Sequence, residues 1–334
     1  MKKRDVHPEE AMEQIQKVFK KRGKKALEMA RKEILQEKLE CKEAREALAY
    51  FVTKYWHDLA RPSLLSLVCE AVGGDPELTT PIAVPMMLIS GALDIHDDII
   101  DKSKRKYGRL TVYGRYGEDM AILVGDAMLF KGLTLLNKSE GRDIPLEKMG
   151  IIIDIIKNMF FELGDAEALE LQFRGNLNVS PEAYLQVVRK KAADVEAHTR
   201  VGAILGSASL KKTEALGEYG RLLGMLIILR DDWMDVFDVE ESFSRIRKES
   251  LPLPLLYGLQ HKIIRDELRT ILLKENPTRK DAEFVLKTIE KTNVSQKYVK
   301  LMNELAEQAL SKLRTQKIEE ENLKLFIGAN LLSD

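Results

Sequence analysis

The chain carries only two cysteines, Cys41 and Cys69, in no CxxC spacing. That excludes a disulfide framework and a thiolate zinc centre, and predicts two inert thiols in a cytoplasmic protein. Proline (10) and glycine (20) are sparse for 334 residues, which excludes collagen-like and low-complexity architectures. No sign of charge prevails: 53 basic side chains face 53 acidic ones. The electrostatic footprint of a nucleic-acid-binding protein is therefore missing. Long apolar runs are also lacking. The longest uncharged stretch, Leu78–Leu93, contains two prolines and three polar residues and falls short of the roughly 20 apolar residues of a membrane span. The opening MKKRDVHPEEAMEQ is basic with no apolar stretch behind it, so no signal peptide is expected.

What remains is helical. Apolar residues make up 45% of the chain and charged ones 32%, enough to build a sizeable core. Their spacing is three to four rather than two, so the reading is all-α, a large bundle of about ten or more helices in one domain over 1–334. The first 45 residues form a charged, amphipathic helical arm. A helix is expected over Pro62–Gly74, stopped by Gly73-Gly74, and a long one over Pro85–Lys102. The stretch after it, SKRKYGRLTVYGRYG, reads as a loop. Ser180 is placed to cap the helix that follows Asn176–Pro181.

Two aspartate clusters carry the chemistry. Asp97, Asp98 and Asp101, preceded by Asp94, end one strongly apolar helix; Asp231, Asp232 and Asp235 end another. Spacings of three and four put each set of carboxylates on one helix face. Like charges there oppose the helix by about 0.2–0.5 kcal/mol per pair, and more beside apolar core. A hard divalent cation neutralises such a set: Mg²⁺ takes one or two carboxylates and gives its remaining positions to water and phosphate oxygens. Two such faces opposed over an apolar cavity would clamp a diphosphate.

The residues ARPSLLSLVCEAVGGDPE, HDDIIDKSKRKYGRLTVYGRYG, ILVGDAMLF, the Lys191 helix and RDDWMD, in that order and spacing, resemble the trans-isoprenyl diphosphate synthase (polyprenyl synthetase) family. The resemblance covers roughly residues 45–330. It implies a helical bundle of the isoprenoid synthase type around a deep apolar cavity, usually a homodimer. It also implies three Mg²⁺ ions, held by the six motif aspartates, that help an allylic prenyl diphosphate ionise before isopentenyl diphosphate attacks. Lys191 matches a lysine supporting the allylic diphosphate, although the threonine expected next is Ala192. Lys106 stands where an arginine contacting that diphosphate is usual, and Lys248 matches a later phosphate-binding lysine. Ala92 and Leu93, one turn before the first motif, stand at the positions that limit product length; with Gly91 beside them they imply a deep cavity and a long product.

The same resemblance exposes departures. The usual GGKRLRP is here Trp56–Pro62, with Asp58 in place of the lysine that would hold isopentenyl diphosphate, and only Arg61 retained. Ser90 stands for a histidine, Tyr107 for an arginine and Ile228 for a glutamine. The donor half is complete and the acceptor half is not. Two alternatives follow: an enzyme of the same fold that uses another acceptor or cyclises its allylic substrate, and a non-catalytic partner subunit of a true synthase. His96 and Gly125-Asp126 are read as packing and hydrogen-bonding residues.

Overall fold

The computed structural model describes residues 8–106, 108–139, 144–237, 250–274, 278–290 and 292–332. Tyr107 and Lys248 lie outside them. Among the described residues the chain is all-α apart from one two-stranded ribbon. In order the helices are α1 (Pro8–Leu35), α2 (Lys42–Tyr50, running into a π turn over Phe51–Tyr55), α3 (Ala60–Ala71) and α4 (Thr80–Ile100). Strands β1 (Arg105–Lys106) and β2 (Arg109–Leu110) pair antiparallel before α5 (Val112–Tyr116), α6 (Glu118–Ser139), α7 (Leu146–Leu171), α8 (Pro181–Lys191), α9 (Ala193–Leu205) and α10 (Leu210–Phe237). Then come α11 (Leu253–Gln260), α12 (Arg265–Leu272), α13 (Arg279–Glu290), α14 (Val294–Thr315) and α15 (Glu321–Ala329).

Two apolar clusters form the interior. One gathers α10, α11, α14 and α15; the other surrounds α4 with α2, α6 and α7. The N-terminal helix is no detached arm. Its apolar stripe, including Ile15, Ala26, Leu27, Ala30 and Ile34, is buried, and it packs on α15, α3 and α4. Gly23 is required there, because a β-carbon would lie 2.5 Å from the Leu59 carbonyl oxygen.

Three local expectations are corrected. The helix expected from Pro85 begins at Thr80, with Pro85 inside it. Pro85 has no N–H for the Pro81 carbonyl, and the Ser139 hydroxyl, arriving from the end of α6, donates to that carbonyl at 3.1 Å instead. The stretch expected as a loop after Lys102 folds into the short ribbon and α5, whose start is capped by Thr111 Oγ1 accepting from Gly114 N–H at 2.8 Å. Helix α3 starts two residues ahead of Pro62, because Asp58 Oδ1 accepts from the N–H groups of Ala60 and Arg61 at 3.0 and 3.2 Å. Ser180 does cap α8, accepting from Ala183 N–H at 3.1 Å.

Among the described residues one stretch, Pro76–Ile100, is long and apolar enough to cross a membrane by length and composition, and 72% of its most apolar window is buried inside the protein. It is apolar all round because neighbours surround it, as in a core helix. Helix α6 comes closest: β-carbons at Gly125 and Gly132 would stand 2.4 Å from His96 Nε2 and 2.7 Å from Ile89. That close approach sets the angle at which α4 delivers its acidic end.

Candidate active site

The last turn of α4 presents Asp97 and Asp98, with Asp101 as its C-cap residue. Asp98 is almost fully buried. Lys106, on β1, reaches back to both motif carboxylates, 2.7 Å from Asp97 and 3.0 Å from Asp98. Burial pushes the Asp98 carboxyl up to about 7, although Lys106 opposes it. For Asp97 the balance reverses: burial raises its carboxyl, and Lys106 and Lys191 outweigh that and hold it below its usual value. The ribbon, in a stretch whose sequence reads as a loop, thus supplies the counter-charge of the first motif.

Two residues from the end of α7 were absent from the sequence-based site. Glu167 lies near the first motif, one carboxylate oxygen from each of Asp97, Asp101 and Glu167 falling within 4.8 Å of the others. Glu170 lies one turn on. Lys191, at the C-terminal end of α8, ion-pairs with both, at 2.9 Å from Glu167 and closely with Glu170. Burial drives the Glu167 carboxyl up to about 7, with Asp97 adding to the rise and Lys191 opposing it. Ser250 donates to Glu170, and Arg174 donates to the Ile100 carbonyl and approaches Asp101 at 3.5 Å. A signal was available: EALEL ends an apolar helix with two acids, Glu167 and Glu170, three apart, a spacing that the motifs share.

The second motif is tied to the same region through α8. Tyr184 Oη donates to Asp232 Oδ2 at 2.7 Å, both groups being buried. Lys191 follows Tyr184 by seven residues, two helical turns and about 10.5 Å of rise on one face. One face of α8 therefore touches the second motif at its start and, through Lys191 at its end, the α7 acids Glu167 and Glu170 beside the first motif. Asp231 and Asp235 are half-buried, and Asp232 also accepts from Leu253 N–H at 3.4 Å.

The acceptor-side departures meet at one place. Arg61 at the start of α3 donates to Asp194 (2.5 Å), bidentately to Asp94 (3.0 and 3.2 Å) and to Asp58 (3.2 Å). Ser90 Oγ donates to Asp194 Oδ1 at 2.8 Å. Burial pulls the Arg61 guanidinium down, but the three carboxylates outweigh it and hold the group well above its usual range. Burial raises Asp194, yet Arg61 and His198 more than offset that and keep its carboxyl far below the ordinary range. Asp94, the most exposed of the three acids, is raised, chiefly by burial. The one basic residue retained from the acceptor pattern is thus held by three acids. Ala92 is fully buried in the core around α4, and Leu93 is half-buried.

Hard oxygen donors arriving from two helices, with lysines alongside, suit a divalent cation and a phosphate group; soft or redox metals prefer sulfur and imidazole. The fold and this donor set define a helical protein with a lysine-flanked cluster of carboxylates that could hold a cation. The profile of the polyprenyl synthetase family matches residues 42–289, about three-quarters of the chain, and the chain belongs to that family. It is 33% identical over 217 residues to a short chain isoprenyl diphosphate synthase of Methanothermobacter thermautotrophicus, covering 63% of this chain and 66% of that one. It is 34% identical over 192 residues to a geranylgeranyl diphosphate synthase of Methanosarcina mazei, covering 57% and 58%. The matched stretch spans less than two thirds of these curated relatives. In fold, it superposes on a geranylgeranyl pyrophosphate synthetase of Pyrococcus horikoshii with a TM-score of 0.83 and 24% identity, covering 96% of this chain and 99% of that one.

Proposed function

We propose that this chain is a Mg²⁺-dependent prenyltransferase that ionises an allylic prenyl diphosphate and couples it to isopentenyl diphosphate. The observation that carries the reading is the convergence of Asp97, Asp98 and Asp101 with Lys106 and Lys191 on one face, joined through α8 to Asp232. Asp97, Asp98, Asp101, Asp231, Asp232 and Asp235 would hold three Mg²⁺ ions, whose charge stabilises the departing diphosphate. Lys106 and Lys191 bind the phosphate oxygens, releasing part of their pairing with the acids. The allylic C–O bond breaks with its electron pair on the diphosphate. The apolar bodies of α4 and α6 exclude water from the cation. A long product rests on small Ala92 next to Leu93, and a product profile confined to ten carbons would remove that part.

Relatives named as prenyl diphosphate synthases support this reading, as do the exposed aromatics of α6 and α7. Phe130 is 73% and Phe161 72% exposed, an apolar surface suited to a second copy in a homodimer. The whole chain is read as one soluble, cytoplasmic unit.

One observation favours a second reading. Arg61 is fully engaged by Asp58, Asp94 and Asp194, and a diphosphate acceptor would meet net negative charge there. An acceptor without phosphate, or cyclisation of the allylic cation, fits that surround. The test incubates purified chain with Mg²⁺ and farnesyl or geranylgeranyl diphosphate, with and without isopentenyl diphosphate. Elongated product supports the first reading, and diphosphate release without elongation supports the second. No turnover overturns both and points to a non-catalytic partner subunit.

A further inference from the structure

Helix α8 passes into α9 at a single residue, Ala192, directly after Lys191. Ala192 stands at the N-cap of α9, and its methyl group caps nothing. The joint is held instead from α10. Arg221 is buried there, and its guanidinium binds three helices at once. It grips Glu162 of α7 with Nη1 at 2.8 Å and Nη2 at 3.0 Å, while Nε donates to Glu196 of α9. Nη1 also donates to the Arg189 carbonyl of α8 at 2.7 Å, and the Lys190 carbonyl lies 3.5 Å away. Carbonyls in the last turn of a helix run short of N–H partners, and the rigid fork of a guanidinium supplies donors in one plane. One turn further along α10, Gly224 brings the backbones together: a β-carbon there would stand 2.8 Å from that of Ala192.

We propose that Arg221 is a positioning residue, which fixes the end of α8 so that Lys191 is aimed at the phosphate of an anionic ligand. The proposal rests on the reading of Lys191 as a diphosphate-binding residue. Lys191 follows the two residues whose carbonyls face Arg221, and its ammonium stands 2.9 Å from Glu167. The four-carbon stem of a lysine is flexible, so the turn that carries it is the part the fold can hold still. When that turn is loosened, binding energy is spent on ordering Lys191 instead of holding phosphate. The donors of Arg221 go to Glu162, Glu196 and the α8 carbonyls, so it acts through Lys191 and not on the ligand. Its effect must therefore vanish when Lys191 is removed, whereas a general support of the fold would add to that loss.

The test titrates inorganic pyrophosphate with Mg²⁺ into the full-length chain by isothermal titration calorimetry. Lys191→Gln should weaken binding about tenfold, the scale of one charge-assisted hydrogen bond, and Arg221→Gln should approach the same loss. Arg221→Lys keeps a positive charge beside Glu162 and Glu196, which protects the fold. It should still weaken binding about threefold, because one ammonium cannot span three helices. On a Lys191→Gln background neither Arg221 substitution should weaken binding further. Arg200→Gln, which breaks a 2.6 Å contact with Glu196 and leaves α8 alone, should bind as the wild type does; circular dichroism checks that each variant is folded. The proposal is overturned by Arg221→Lys binding equal to the wild type, by losses that add in the double variant, or by an equal loss in Arg200→Gln. A loss in Lys191→Gln with none in the Arg221 variants leaves the prenyltransferase reading standing and removes this inference. A wild type that binds no pyrophosphate, or Lys191→Gln binding like the wild type, removes both. Coupled losses in a chain that turns over no prenyl diphosphate uphold the inference and sink the prenyltransferase reading.

Discussion

Arg61 Nε donates to Asp194 Oδ2 at 2.5 Å, joining the first turn of α3 to the first turn of α9. This ion pair is the centre of a group that also takes in Asp58, Asp94 and Ser90. It locks three helices together at the place where a phosphate-binding cation was expected.

Asp194→Asn should cost ~3 kcal/mol of stability at neutral pH, the scale of breaking a buried pair. The sign with pH follows from its depressed carboxyl. A group that ionises more easily when folded contributes stability above its unfolded value of about 3.9 and loses it as pH falls towards the folded value. Denaturant unfolding of wild type and variant should therefore differ by a constant amount from pH 5 upwards and converge below about pH 4. A gap that persists unchanged at pH 2.5 would contradict the ion-pair account.

Asp58→Lys restores the positive charge of the acceptor pattern and removes the cap of α3. We expect a loss of about 1 kcal/mol from the lost cap and at least a tenfold fall in KM for isopentenyl diphosphate, measured by initial rates at saturating farnesyl diphosphate. Asp58→Asn keeps a capping oxygen and should sit between the two. An unchanged KM in the lysine variant would remove Asp58 from the acceptor site.

Tyr184→Phe deletes a buried hydroxyl whose partner is Asp232. The carboxylate loses a charge-assisted hydrogen bond, a stability cost of about 1–3 kcal/mol. Diphosphate release should drop about tenfold, with the metal concentration for half-maximal rate rising, because Asp232 no longer holds one orientation. A rate equal to the wild type at every metal concentration would mean that Asp232 acts without Tyr184.

Gly125→Ala tests how α6 places the first motif. The added β-carbon would fall 2.4 Å from His96 Nε2, one residue before Asp97. The ring must move or the helices must part, at about 1–3 kcal/mol. Gly164→Ala, at a position where a β-carbon meets no neighbour, should be neutral or stabilising. Thermal melts of the two variants separate a packing effect from a general effect of glycine replacement.

The helical class, the order of the elements and the two aspartate sets were legible because they depend on periodicity and spacing within single helices. Glu167 and Glu170 were passed over because each becomes significant only beside Asp97 and Lys191, which are remote in sequence. Nothing in the sequence around Lys106 signals that a ribbon folds it onto Asp97 and Asp98. The expected start of α4 differs because Pro85 reads as a boundary, and it is the distant Ser139 hydroxyl that donates to the Pro81 carbonyl which Pro85 cannot pair.

By itself, then, the sequence determined which helix ends are acidic, since that follows from residue type and a fixed 3.6-residue turn, while the resemblance to the family marked Asp58 as standing where a lysine is usual. The tertiary structure alone decided which acids neighbour one another, that Arg61 is shared by three of them, and that α7 adds carboxylates to the first motif. Charge acts through space, and partners more than a hundred residues apart, such as Arg61 and Asp194, meet only when helices pack.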